Sequence, residues 1–354
     1  MSSVFGERLK ISIFGQSHSE AIGVVIDGLP AGMRIDEECL LSFMARRAPG
    51  TGAHATARKE ADRPHFISGV ADGFTCGVPI CAIIENKDTR SGDYDKIRDV
   101  PRPSHADFAA YAKYGAHHDI RGGGHFSGRL TAPLCIAGAL CMQYLESRGV
   151  YISAHAYSIA DVYDDAFDAL SPQISEICRN LPVAVLNPAR GEEMLNAIEA
   201  ARKDGDSVGG VIECAITGLS AGIGEPMFGG VENRISTAVF GIPAVKGIEF
   251  GSGFAGAQKR GSENNDAFCI SDGIKTSTNN HGGILGGITS GMPVIFRAAI
   301  KPTPSIAKAQ RSVSLSQKSE YELAISGRHD PCIVPRAIPC IEAAAAVAVC
   351  DMII

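Results

Sequence analysis

Two long apolar segments restrict the fold of this 354-residue chain more than any other feature. Residues 132–145 are apolar almost all round, and residues 337–352 are rich in alanine. The apolar stretches at 131–145 and 343–354 are too short or too interrupted to span a bilayer. A helix that is apolar on every side needs protein around it. We therefore predict a helix at 132–145 that is buried on several sides and a closing helix at 337–352.

Strand and helix patterns alternate around these two segments without a clear linker. Strands are predicted at 10–14, at 21–27 and around 208–218, and an amphipathic helix at 192–203. Asp36 is a candidate N-cap for a further helix. That helix places three apolar residues on one face: Leu40, Phe43 and Met44. The alternation favours mixed α/β layers and does not specify their topology.

Two shorter segments give further local predictions. Ser104 and Asp107 have the spacing of a capping box, which would open a helix that ends at Gly115. Residues 312–320 contain four serines and little apolar surface, which is typical of a mobile surface loop.

Charge and cysteine content limit the partners and the compartment. The net charge is −6, and no long basic tract stands out, which argues against nucleic acid as the main partner. The 11 cysteines are an odd number without CxxC spacing, and four of them stand in apolar surroundings. Those four are Cys39, Cys135, Cys141 and Cys350. Reduced, buried thiols and a charged segment at 7–10 predict a soluble cytoplasmic protein with no membrane partner.

Three segments carry titratable groups among glycine, serine and arginine. They read GQSHS at 15–19, RPSHAD at 102–107 and RHDPC at 328–332. Taken alone, His18 fits a turn histidine, His105 a neutral residue at a helix start, and Asp330 a turn former before proline. Arginine beside an imidazole or a carboxylate also suits a site that holds a polyanion and moves protons around it.

Residues 121–129 read RGGGHFSGR and admit two interpretations. The segment could be a simple turn before the apolar helix. Alternatively, its free backbone N–H groups and the start of that helix would bind phosphate or flavin oxygens. Arg102, Arg129, Arg328 and Arg336 lie in motifs rich in glycine, proline or serine, where no helix dipole accounts for them.

These segments, in this order, resemble the chorismate synthase family from about Lys10 to the C-terminus. Further matching stretches are FGQSHS at 14–19, VIDGLPAG at 25–32, RRAPG at 46–50, ENKDTRS at 85–91, KYG at 113–115, PAVKG at 243–247, GGILGG at 282–287 and KPTPS at 301–305. The resemblance implies one α/β (α+β) domain over 1–354, with long helices sandwiched between antiparallel β-sheets. It also implies a homotetramer.

The resemblance further implies a lyase of the shikimate pathway, which leads to the aromatic amino acids. The reaction is the anti 1,4-elimination of phosphate from 5-enolpyruvylshikimate 3-phosphate to give chorismate, and it requires reduced FMN without net redox change. By the same resemblance, His18 donates a proton to the departing phosphate and His105 stabilises the reduced flavin. Asp330 accepts a proton relayed from the flavin.

Binding residues follow from the matching positions. The predicted substrate contacts are Arg46, Arg47, Arg102, Ser127, Arg129 and Arg328, since forked guanidinium groups suit two carboxylates and a phosphate. The predicted flavin contacts are Ser127, Gly128, Arg129, Ala244, Gly286, Lys301, Pro302, Thr303, Pro304, Ser305 and Arg328. Arg47 also matches a position linked to NADPH. Because Ala53 stands where a second arginine is common, we expect dependence on an external reductant.

The sequence departs from the family at several of these positions. Gln16 and Ser19 replace a glutamate and a glycine, Ser104 replaces a glycine, and His125-Phe126 replace Arg-Ser. Two other functions stay open at this point. One is an NAD(P)H-dependent flavin reductase. The other is a metal- or phosphate-binding protein that uses His117, His118 and Asp119, although no metal site is expected.

Overall fold

The computed structural model describes residues 3–48, 62–86, 99–271, 273–325 and 330–354. The helices are α1 Glu37–Arg47, α2 Asp107–Tyr114, α3 Thr131–Glu146, α4 Pro188–Lys203, α5 Val231–Phe240, α6 Gly253–Gly256, α7 Gly261–Asn264 and α8 Val334–Ile353. In this part of the chain, no helix is long and apolar enough to cross a membrane.

Two five-stranded sheets dominate the fold, and both are antiparallel throughout. The first contains, in spatial order, β1 Val4–Phe5, β2 Lys10–Gly15, β3 Ala21–Asp27, β7 Ile80–Glu85 and β4 His65–Ser68. The second contains β11 Val245–Phe250, β16 Val294–Ile300, β10 Gly210–Thr217, β8 Tyr151–Ile159 and β9 Val162–Tyr163. Four hairpins complete the strands: β5 Val70–Ala71 with β6 Phe74–Thr75, β12 Phe268–Ile270 with β13 Ile274–Thr276, β14 Ile284–Leu285 with β15 Ile288–Thr289, and β17 Gln310–Ser314 with β18 Ser319–Leu323.

Helices α3 and α8 lie between the two sheets. Helix α3 packs on β2, β3 and β7 of the first sheet, and α8 packs on β8 and β10 of the second. The two helices also pack on each other, and a Cβ on Gly138 would overlap the backbone of Ala343. Glycine therefore allows the helices to approach closely. The predicted sandwich of helices between antiparallel sheets is confirmed, and so is the burial of residues 132–145.

Helix α1 begins as its sequence predicts. The Asp36 carboxylate accepts a hydrogen bond from the Cys39 backbone N–H at 2.9 Å, as an N-cap should. The predicted apolar face, Leu40, Phe43 and Met44, is buried. Cys39 itself is exposed, which contradicts the prediction of a buried thiol, because residues 37–39 in the first turn of α1 all lie at the surface. All eleven cysteines are free.

Two local predictions were wrong. The capping box at 104–107 is absent: helix α2 begins after Ala106 without a side-chain cap, because the Asp107 carboxylate binds Arg102 instead. Residues 312–320 are not a single loop: they form the facing ends of β17 and β18 and the turn at 315–318 between them. Asp99 anchors that hairpin by accepting hydrogen bonds from Ser314 Oγ at 2.6 Å and from the Ser316 backbone N–H at 2.8 Å. Ser312 Oγ also donates to the carbonyl of Pro101, so two serine hydroxyls of this segment bind residues that lie far away in sequence.

Candidate active site

The side chains of His18 and His105 both lie against a stretch of three consecutive glycines at 122–124, the glycine strip. Gly122, Gly123 and Gly124 have φ values of +59°, +84° and +55°, a conformation that glycine adopts at little cost. A Cβ on Gly122 would lie 2.5 Å from Nδ1 of His18. A Cβ on Gly123 would lie 3.3 Å from Cε1 of His105. The two histidines, 87 positions apart in the numbering of the chain, therefore face adjacent residues.

The turn that carries His18 connects β2 to β3 and is held by hydrogen bonds to residues elsewhere in the chain. The Ser17 backbone N–H donates to the Gly124 carbonyl at 3.1 Å. The Asn86 side-chain amide donates to the carbonyls of Gln16 at 3.1 Å and Ser19 at 2.9 Å. His18 is buried in this turn. Its position is thus set by the glycine triplet and by Asn86.

His105 belongs to a buried ionic cluster with Arg102 and Asp107. Arg102 donates from Nε and Nη2 to the two carboxylate oxygens of Asp107, at 2.8 Å each. Nδ1 of His105 lies 2.5 Å from Oδ1 of Asp107. Burial raises the pKa of Asp107, but the hydrogen bonds from Arg102 and His105 outweigh it and hold the pKa well below its usual range. Asp107 is therefore a carboxylate at neutral pH.

The segment 301–305 lies directly beside this cluster. The Lys301 ammonium group donates to the carbonyl of Ser104, and Arg102 Nη1 donates to Ser305 Oγ at 3.4 Å. The Lys301 backbone N–H donates to the carbonyl of Ala244 at 3.0 Å. The structure thus joins three of the predicted flavin positions, Ala244, Lys301 and Ser305, to the segment that carries His105 through its neighbours Arg102 and Ser104.

Two properties of this segment suit an anionic ligand. Burial, with the nearby charge of Lys246, lowers the pKa of Lys301, so a negative group beside it would be stabilising. Thr303 Oγ1 is buried and has no hydrogen-bond partner among the described residues. A buried polar atom without a partner costs free energy, which a bound polar ligand would recover.

Arg47 and Arg129 share one carboxylate, that of Asp62. All three side chains are buried, and each guanidinium group donates to a different oxygen of Asp62. Arg47 also donates to the carbonyl of Gly128 at 3.0 Å, and Arg129 to Asn86 Oδ1 at 3.2 Å. Burial lowers the pKa of Arg47, but the Asp62 carboxylate outweighs it and raises that pKa overall. Both arginines are therefore rigidly placed cations.

Asp330 joins this group through Arg336. Arg336 Nη1 donates to Asp330 Oδ2 at 2.5 Å, and Arg336 Nε donates to the carbonyl of Arg47 at 3.1 Å. Burial, followed by the charge of Arg47, lowers the pKa of Arg336. The first turn of α8 therefore brings Asp330 to the Arg47 side of the site.

Some predicted residues are not brought together. Arg46 binds Glu342 at 2.7 Å, a fully buried carboxylate that also accepts from the Ala154 backbone, so it ties α1 to α8 and the second sheet. Gly286 is exposed in the two-residue turn of the β14–β15 hairpin, with φ +64°. Arg328 and Ala53 lie outside the described residues.

The residues that depart from the family pattern have local partners. His125 places Nδ1 2.8 Å from the Gly15 carbonyl and Nε2 2.8 Å from Ser3 Oγ, which ties the N-terminal segment to the turn of His18. The exposed ring of Phe126 lies 6.4 Å from that of Tyr114. His125 therefore has a backbone-anchoring contact where the family pattern has arginine.

The proposed metal ligands have other partners as well. His118 Nδ1 lies 2.7 Å from the Gly115 carbonyl, and Asp119 pairs with both Nε and Nη2 of Arg121. Across the described ranges, no group of three or more histidine, cysteine or carboxylate side chains could hold a metal ion. Nothing in this geometry favours the metal-binding alternative over the histidine–arginine site.

Three residues of the site were given no site role from the sequence: Asp62, Asn86 and Asp107. Asn86 and Asp107 lie in the ENKDTRS and RPSHAD segments, and the sequence predicts only a helix cap at Asp107. Asp62 lies in no motif. Its importance follows only from the two arginines that the fold places on either side of it.

The comparisons with known proteins agree on one family. Residues 9–354 match the family model described as chorismate synthase. A chorismate synthase of Lancefieldella parvula is 46% identical and covers 99% of this chain and 96% of its own length. One of Korarchaeum cryptofilum is 44% identical, with 99% and 97% covered. A crystal structure of a chorismate synthase superposes with a TM-score of 0.78 at 26% identity, covering 98% of this chain and 92% of that one.

Proposed function

The chain belongs to the chorismate synthase family, and we propose that its substrate and reduced FMN bind where residues 122–129 meet His18, His105 and residues 301–305. As a member of this family it is a lyase that converts 5-enolpyruvylshikimate 3-phosphate to chorismate and phosphate. Nothing in the comparisons favours the flavin reductase alternative. The observation that carries the proposed site is the glycine triplet, which faces both histidines.

The charges of the site suit the substrate, which has two carboxylates and a phosphate. Cationic side chains outnumber the carboxylates that pair with them. The cations are Arg47, Arg102, Arg129, Lys301 and Arg336, and the carboxylates are Asp62, Asp107 and Asp330. The arginines are already oriented by hydrogen bonds, so little conformational entropy is lost when they bind oxygen atoms of a ligand.

Proton transfer follows from the positions of the titratable groups. In the elimination, the C–O bond to phosphate and one ring C–H bond break, and a new double bond forms. We assign His18 as the proton donor to the departing phosphate and Asp330 as the final acceptor of the proton that leaves the ring. Asp330 is suited to this task because Arg336 orients its carboxylate. Each transfer contributes about 10²–10⁴-fold in comparable enzymes.

The residues near His105 fit a flavin. The buried hydroxyl of Thr303, the cationic Lys301 and the backbone around Gly123 and Ser127 offer donors to a phosphate and to ring oxygens. Reduced FMN supplies electron density while phosphate leaves. His105 would face the flavin as a hydrogen-bonding group that can carry positive charge.

The remaining proposals concern assembly and the reductant. We propose one domain that assembles as a cytoplasmic homotetramer. Three exposed apolar side chains on the β12–β13 hairpin support the assembly: Phe268 is 70% exposed, Ile270 92% and Ile274 77%. Such a patch is typical of an interface.

Arg47 already binds Asp62 and Gly128. These contacts do not distinguish substrate from NADPH, and we propose dependence on an external reductant because Ala53 stands where a second arginine is common in the family.

The proposed site is tested by anaerobic turnover with photoreduced FMN. We expect His18→Ala to lower chorismate formation by about 100-fold or more. His65→Ala, at an exposed position of β4, is the matched control and should leave turnover unchanged. A second arm replaces photoreduction by NADPH and should yield little product. A loss below about tenfold for His18→Ala would remove His18 from the mechanism.

A further inference from the structure

We infer that Asp107 is a positioning residue that fixes the orientation and tautomer of His105. The ring proton stays on Nδ1 and is donated to the Asp107 carboxylate, while Nε2 faces the flavin side of the site. The expected effect on turnover rests on the proposed function, whereas the geometry of the Asp107–His105 pair does not. The inference concerns the tautomer and orientation of His105, which determine whether the ring accepts or donates a hydrogen bond toward the ligand.

The contact distances select this tautomer. Nδ1 of His105 lies 2.5 Å from Oδ1 of Asp107 and 3.0 Å from Nη2 of Arg102. If Nδ1 carried no proton, two acceptor lone pairs would face each other at 2.5 Å without a hydrogen between them. Nη2 of Arg102 already donates to Oδ1 of Asp107 at 2.8 Å, so it does not need Nδ1 as an acceptor. The charge-assisted bond from Nδ1 to the carboxylate is therefore the stronger one.

The other edge of the ring points to the glycine strip. A Cβ on Gly123 would lie 3.4 Å from Nε2 and 3.3 Å from Cε1 of His105. The His105 side chain is 17% exposed, whereas Asp107 and Arg102 are 8% and 5% exposed. Nε2 thus lies on the more open side of the cluster, next to the backbone where we place the flavin.

The charge balance of the cluster gives the consequence. Arg102 and Asp107 cancel, so a neutral His105 leaves the cluster without net charge. A proton taken up at Nε2 then gives the cluster one positive charge on the ligand side. The Asp107 carboxylate stays ionised during this change, because Arg102 holds its pKa well below the usual range against the opposing effect of burial. Asp107 thereby keeps Nε2 as the ring nitrogen that faces the ligand, where a positive charge on His105 would lie beside a reduced, anionic ring.

The tautomer can be measured without ligand or turnover. Histidine labelled with ¹⁵N is introduced into the full-length protein, and the His105 resonances are assigned by comparison with His105→Gln. At a pH where the ring is neutral, we expect the proton on Nδ1. In Asp107→Asn the side-chain amide can donate to Nδ1, so the proton should move to Nε2. Asp36→Asn, which keeps an effective N-cap, is the control and should change neither spectrum nor activity.

Activity is the second readout. With reduced FMN, Asp107→Asn should lose at least about tenfold in turnover, since a wrong tautomer removes part of the contribution of a histidine. A wild-type His105 with its proton on Nε2 would overturn the inference, and this result does not require Asp107→Asn to fold. A changed tautomer with unchanged turnover would also overturn it. If the Nδ1 proton is found but no chorismate forms, the proposed function fails and the Asp107–His105 pair stands.

Discussion

Gly122 leaves no room for a Cβ between its backbone and the His18 ring, since such an atom would lie 2.5 Å from Nδ1 and also 2.5 Å from Ser17 Oγ. Gly122→Ala should therefore displace His18 or Ser17, in addition to the strain of about 1–2 kcal/mol for a left-handed non-glycine residue. We expect turnover to fall at least about tenfold.

The control for Gly122→Ala is Gly149→Ala. Gly149 has φ +75°, but a Cβ there meets nothing within 4 Å, so this variant carries the strain without the contact. A larger loss of stability in urea for Gly122→Ala, together with a loss of turnover in that variant alone, would support the contact. Equal turnover of the two variants would contradict it.

Asp330→Asn keeps the size of the side chain and removes its charge. If Asp330 accepts the ring proton, turnover should fall by about 100-fold or more while substrate and reduced FMN still bind. Single-turnover absorbance under anaerobic conditions measures this. Asp27→Asn, at the exposed end of β3, is the matched control. Near wild-type turnover of Asp330→Asn would remove Asp330 from the proton transfer.

Ser104→Gly should stabilise the protein. Ser104 has φ +58°, at the position where the family pattern has glycine, and this strain costs about 1–2 kcal/mol. Glycine loses about 0.5–1 kcal/mol of backbone entropy on folding, so a net gain of about 0.5 kcal/mol is expected. Ser147→Gly, at a residue with φ −62°, should only destabilise. Urea midpoints of the two variants give the comparison, and a loss of stability in Ser104→Gly would refute the strain.

Asp266 gives the fold a defined pH dependence. Burial raises its pKa, but hydrogen bonds from Thr278, His281 and the Asn280 backbone lower it well below its usual range. A carboxyl group with a depressed pKa stabilises the fold above its unfolded pKa of about 3.9, and this contribution is lost as the pH falls through the folded pKa.

Asp266→Asn should therefore cost about 1–3 kcal/mol at pH 7, since several donors lose a charged acceptor. The difference from wild type should be constant from pH 7 to about pH 5 and should shrink below about pH 4. Urea unfolding across this range measures it, with the exposed Asp161→Asn as control. A difference that does not change with pH would show that the carboxylate charge is not the cause.

Elements that bury one continuous apolar surface could be predicted from the sequence. Helix α3 is apolar on all sides, and Asp36 caps α1 through a residue three positions away, so both signals are local. The ionic pairs of the site could not be predicted. Asp62 becomes important only where the fold brings Arg47 and Arg129 to it, and Asp107 looks like a helix cap until Arg102 is placed beside it.

The proposed elimination uses reduced flavin without consuming it. The most direct measurement is an anaerobic experiment with substrate and one equivalent of reduced FMN per site, following phosphate, chorismate and flavin absorbance together. We expect one chorismate and one phosphate for each substrate molecule, with the flavin fully reduced at the end and no product when oxidised FMN is supplied. Stoichiometric oxidation of the flavin, or chorismate formed without reduced flavin, would contradict it.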